Sequence, residues 1–154
     1  MLTVTAILAI VAGIAMVGGG AWGIMFTYKN VAQEKITTPA DASIPKASVL
    51  GPLTLKAQAD VIRDHTLETT GGKVYAEMPG QVPKLDAEGK PVVDVDGKPV
   101  TVSNPARTIW ITATALTTAL NLGIVTYAFS ALVLFLGFVS IWFGVVFYVL
   151  GKRY

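Results

Sequence analysis

Residues 108–151 read TIWITATALTTALNLGIVTYAFSALVLFLGFVSIWFGVVFYVLG, 44 positions without one charged side chain. A bilayer-crossing helix takes about 20 apolar residues. A helix of this run would be roughly 65 Å long at about 1.5 Å per residue, twice the thickness of the hydrocarbon layer. One part is therefore expected to span and the rest to continue out of the lipid. Composition places the cut. Residues 109–122 carry Thr112, Thr114, Thr117, Thr118 and Asn121, whereas 124–150 are Val, Leu, Phe and Ile with few polar interruptions. The reading is a long helix over 106–151, its transmembrane span at about 124–150, and a short tail at 152–154.

Within this run Gly123, Ser130, Gly137, Gly144 and Gly151 recur every seven residues. Seven residues are nearly two helical turns, so these small side chains fall on one narrow seam. Small seams let a second backbone approach closely, which is how helices associate where lipid removes the hydrophobic drive. Glycine is also common in membrane helices for no such reason, which leaves coincidence as the competing explanation.

The N-terminal stretch 2–28 is also uncharged and long enough to span. It lacks the basic start of a signal peptide and its apolar part runs long for one, although a small-residue cleavage site fits at Gly19-Gly20-Ala21. The expectation is an uncleaved transmembrane helix over 1–28. It has its own seven-residue seam, Ala6, Gly13, Gly20 and Thr27, with Ala15, Gly19 and Gly23 as a second ridge. The two seams could pack on each other as an antiparallel hairpin or face another subunit. A bend is allowed at Gly18-Gly19-Gly20, because glycine is a poor helix former.

Orientation follows from charge. The N-terminal tail has no basic side chain, while the chain ends Lys152-Arg153-Tyr154. The intervening loop carries ten Lys and Arg, but loops beyond roughly 60 residues cross largely regardless of charge. The expected topology is multi-pass in the plasma membrane, both termini cytoplasmic and the loop 29–107 extracytoplasmic. Trp110 then belongs to the outer part, against the loop or a neighbour.

The loop module, 29–105, divides further. Residues 29–53 read as an extended connector interrupted by Pro39, Pro45 and Pro52. Residues 54–70 form an amphipathic helix, with Thr54 as its cap, Leu55, Ala59, Ile62 and Thr66 on one stripe, and Gly71-Gly72 as its left-handed stop. A short extended piece is expected at 73–78. Then comes a repeat, DAEGKPVV at 86–93 and DVDGKPVT at 94–101, read as a β-hairpin or a pair of turns. Its acidic spacing also invites a calcium site, but it lacks the ligand series and closing Glu of an EF-hand. Asn104-Pro105 opens the long helix. The fold class is thus membrane and mainly α: two transmembrane helices flank an extracytoplasmic module with one amphipathic helix and a β-hairpin, and the second helix extends beyond the bilayer.

Composition excludes much chemistry. No cysteine means no disulfide, thiolate metal site or covalent haem attachment. The net charge of +2 comes with scattered, unclustered basic residues, so no nucleic-acid partner is expected. The one histidine, His65, sits beside Asp64 and Arg63 and reads as a surface residue; a metal site would want more partners. Neither span holds an ionisable group for an ion path. No catalytic residue, metal ligand or cofactor-binding residue is nominated, no cofactor is expected, and the chain reads as a non-enzyme.

Residues 57–78, AQADVIRDHTLETTGGKVYAEM, resemble a family of small two-span actinobacterial membrane proteins that share a pattern AQAD-I-x-x-H-x-L-x-x-T-G-G-K-x-Y-A-E. In that family a second span follows a segment like Asn104-Pro105-Ala106-Arg107. The likeness covers about 50 loop residues plus the two-span layout; the repeat at about 80–103 departs from it. Members are often labelled aromatic ring-opening dioxygenases. Ring-opening non-haem iron enzymes need about two His and a carboxylate, which one histidine does not supply.

The resemblance and the seams together imply a non-catalytic accessory subunit of a multi-subunit plasma-membrane complex. The host it suggests is the actinobacterial respiratory cytochrome bcc–aa3 supercomplex, so the expected partners are other membrane subunits, cytochrome bc and oxidase subunits among them, and the lipid bilayer. Helix-packing candidates are Ala6, Gly13, Gly20, Gly123, Ser130, Gly137, Gly144 and Gly151; partner-contact candidates are His65, Tyr75 and Trp110. Two other classes stay open: an extracytoplasmic binding or envelope-assembly factor associated with a transporter, and a metal-dependent enzyme.

Overall fold

The structure is a computed structural model and describes residues 1–153. It is mainly helical. In chain order it holds α1 (Leu2–Gln33), α2 (Pro52–Thr69), a 3₁₀ turn (Tyr75–Glu77), β1 (Gln81–Pro83), β2 (Thr101–Ser103) and α3 (Pro105–Arg153). Helices α1 and α3 are each long and apolar enough to cross a membrane. The chain forms two compact units, Met1–Gln58 with α3 from Leu120 onward, and Ala59–Ala119.

In the first unit α1 and α3 lie antiparallel, and the two seams meet. A Cβ on Gly13 would stand 2.7 Å from the Gly137 carbonyl oxygen, and one on Gly137 would stand 2.8 Å from that of Gly13. Gly20 would meet the Ser130 carbonyl at 2.7 Å, and Gly144 the Ala6 carbonyl at 2.9 Å. Gly151 lies against Leu2 and Thr3, and Gly23 against the Ser130 hydroxyl. Backbone thus meets backbone from Ala6 to Gly20 of α1, about four helical turns. Gly123 differs: its open side is filled by Leu55 of α2, 3.2 Å from where a Cβ would be. Seven is the repeat of pairs that wind around each other, and here it keeps Ala6, Gly13, Gly20 and Thr27 buried along α1. Gly18 and Gly19 meet nothing within 4 Å, so the second ridge does not pack as a line; of its members, Gly23 joins the seam. Helix α1 continues through the three glycines without a break.

The large side chains point the other way. Trp22, Phe129, Phe135 and Trp142 are all more than 60 % exposed. Only 11 % of the most apolar window of each long helix is buried, where the core helix of a water-soluble protein would be mostly covered. Polar side chains on these helices are satisfied locally: Thr27, Thr112 and Thr126 each donate to the carbonyl four residues back. A hydrogen bond crosses the pair, from Ser140 Oγ to the Ala9 carbonyl at 2.8 Å.

Residues 34–51 correct the expected extended connector. Helix α1 runs past Tyr28 to Gln33 and ends at Lys35, whose φ of 51° is left-handed. The uncharged composition ends at Tyr28, but nothing in the next five residues opposes a helix. The loop beyond is folded around Thr38. Its hydroxyl donates to the Ile44 carbonyl at 2.5 Å and accepts the Ala47 N–H at 2.9 Å. The Thr38 N–H bonds the Ala47 carbonyl, the Val49 N–H bonds the Ile36 carbonyl, and Thr37 bridges Ser48. Val49, Leu55 and Thr38 are at most 2 % exposed. Tyr127 Oη donates to the Leu50 carbonyl at 2.7 Å and fastens this loop to α3.

Thr54 is not the cap of α2. The helix starts two residues earlier with Pro52 in its first turn, where a missing N–H costs nothing, and the Gly51 carbonyl accepts the first helical bond from Leu55. The Thr54 hydroxyl instead reaches back to the N–H groups of Leu50 and Gly51. The C-terminus matches expectation. Gly71 and Gly72 have φ of 64° and 77°, and their N–H groups return to Glu68 and Leu67 carbonyls, a Schellman end.

In the second unit, the segment expected as extended at 73–78 holds the 3₁₀ turn instead; the Glu77 carboxylate accepts the Val74 N–H and closes it. Strands β1 and β2 pair antiparallel with Val82 opposite Val102. Between them the repeat makes two equal turns. Asp86 Oδ1 accepts the N–H groups of Glu88 and Lys90, and Asp94 Oδ1 those of Asp96 and Lys98. Gly89 and Gly97 take positive φ at the same place in each. The turns stack so that Lys84 N–H bonds Val100 O, Val100 N–H bonds Val92 O, and Val92 N–H bonds Lys84 O. Positions eight apart thereby close a ring of three hydrogen bonds.

The seam makes a direct prediction. Gly137→Leu or Gly144→Leu should lower thermal stability in detergent by about 1–3 kcal/mol or more, since the added atoms meet backbone that cannot yield. Gly18→Ala and Gly19→Ala should be neutral, or stabilising by up to about 1 kcal/mol. Circular-dichroism melting of the four variants separates the two classes.

Candidate functional site: an arginine–aromatic cluster

The loop motif and the start of α3 come together in the unit Ala59–Ala119. Asn104 is the hinge of this arrangement. Its Oδ1 caps α3 by accepting the Ala106 N–H at 3.0 Å, its Nδ2 donates to the Pro79 carbonyl at 2.9 Å, and its N–H bonds the Gly80 carbonyl. It is 8 % exposed. One side chain thus fixes where α3 begins and where the chain leaves the 3₁₀ turn.

That placement sets Arg107, in the first turn of α3, face-on to Tyr75, with its guanidinium carbon 3.9 Å from the ring centroid. Gly80 leaves room for it: a Cβ there would stand 2.9 Å from Arg107 Nη1. Arg107 Nε is buried without a hydrogen-bond partner, so the ring face is the main compensation for removing that group from water. Such contacts are worth about 0.5–2 kcal/mol, rising with desolvation. One turn along, Arg63 of α2 lies over Trp110 at 5.8 Å, a longer and weaker version of the same contact.

Of the partner-contact candidates, Tyr75 remains 38 % exposed, with one ring face covered by Arg107. Trp110 is half-buried and His65 is exposed on α2. Tyr75 and Trp110 are each held by a different arginine. A shallow groove of about 330 Å³ lies beside them, lined by Ile62, Thr66, Thr108, Ile109, Thr112, Ala113 and Leu116. The hydroxyls of Thr66 and Thr112 are turned to their own helix carbonyls, which leaves the lining largely apolar. Among the described residues no three His, Asp or Glu side chains gather to hold a metal ion. In the repeat, Asp86 and Asp94 use a carboxylate oxygen for their turns.

Sequence reasoning nominated Tyr75 and Trp110 but not the arginines that hold them. Asn-Pro signalled the start of α3; nothing in the sequence paired Arg107 with a tyrosine 32 positions earlier.

Arg107→Ala should expose residues 71–103 to proteolysis several-fold faster, and Arg107→Lys should rescue poorly, because an ammonium does not stack as a planar guanidinium does. Tyr75→Phe keeps the ring face and should cleave at the native rate. Limited proteolysis read by mass spectrometry tests all three.

No protein-family model matches the chain, and neither the curated proteins nor the solved structures compared with it gave a match.

Proposed function

We propose that this chain is a two-span plasma-membrane protein with both termini cytoplasmic and residues 29–107 extracytoplasmic. We further propose that it serves as a non-catalytic accessory subunit of a multi-subunit membrane complex. The observation that carries the membrane reading is the inverted distribution of side chains. Glycine, alanine and serine line the contact between α1 and α3, while Trp22, Phe129, Phe135 and Trp142 face outward. In water an apolar surface of that extent would drive aggregation; in lipid it is the solvated face.

The accessory role draws support from where the polar chemistry goes. Asn104, Arg107, Thr38 and Tyr127 all act to hold the chain's own segments. The exposed ring of Tyr75, together with Trp110 and His65, is the surface assigned to a partner. The small-residue seams, which face each other, are no longer an argument for one. The host, the actinobacterial cytochrome bcc–aa3 supercomplex, comes from the family resemblance of residues 57–78 alone.

Topology is testable because the chain has no native cysteine. Asp96→Cys should react with a membrane-impermeant maleimide on intact cells, and Lys152→Cys only after permeabilisation; the reverse pattern would invert the topology. For the role, the tagged chain should co-purify in mild detergent with cytochrome subunits in stoichiometric amounts and with visible haem bands. Lys90→Ala should leave this unchanged, and Tyr75→Ala combined with Trp110→Ala should weaken it. Recovery of a transporter or envelope enzyme without haem would replace the respiratory host with a binding or envelope-assembly role.

A further inference from the structure

We draw no further inference here: the strongest candidate, the shallow apolar groove between α2 and the first turns of α3 lined by Ile62, Ile109, Ala113 and Leu116, carries nothing because nothing in the structure shows what covers it.

Discussion

The structure depends on one contact, backbone against backbone between α1 and α3. Without side chains to intervene at Gly13 and Gly137, each helix places a carbonyl where the other would carry a Cβ. In the lipid setting proposed for them, two apolar helices gain little from burying greasy side chains against each other, because lipid tails offer the same contact. Close approach, dispersion and Cα–H contacts to carbonyls supply the attraction instead. The Ser140 hydroxyl adds a directional bond to the Ala9 carbonyl, of the order of 0.6–2 kcal/mol in such surroundings. Bulk at the seam would separate the helices along their length rather than at one point, since each small residue is flanked by others two turns away.

Around that contact the molecule is stitched by hydroxyls and amides rather than by a large apolar core. Thr38 organises the loop after α1, and Tyr127 ties that loop to α3. Leu55 fills the space over Gly123, so the seven-residue pattern of α3 serves two partners: α1 for most of its length and the start of α2 at Gly123. In the other unit, Asn104 divides its hydrogen bonds between a helix cap and two loop carbonyls. A module of this size buries a smaller share of its surface than a larger domain does, and hydrogen-bonded polar groups plus local turns supplement its small apolar core.

The octapeptide repeat shows how local rules extend to a small tertiary object. Each Asp folds its own turn by accepting two N–H groups, and each glycine takes the positive φ that closes it. The stacking of two turns and the flanking strands then joins positions 84, 92 and 100 in a ring. The sequence made the turns legible; the ring needed three segments brought side by side.

Much of the helical architecture was readable from the chain itself. Charge-free runs marked α1 and α3, the seven-residue seams marked their contact faces, Asn104-Pro105 and Gly71-Gly72 marked helix ends. These are properties of period and of single-residue backbone preference, which need no knowledge of distant neighbours. The structure departs from the linear reading at the end of α1 beyond Tyr28, at the start of α2 before Thr54 and at the 3₁₀ turn within 73–78, where composition or a single capping residue does not fix a boundary. Which seam faced which partner, the fold of 34–51 around Thr38, and the stacking of Arg107 on Tyr75 were decided only in three dimensions. Each joins groups far apart in sequence whose pairing depends on close approach, and a linear pattern records the capacity for such a contact but not its other half.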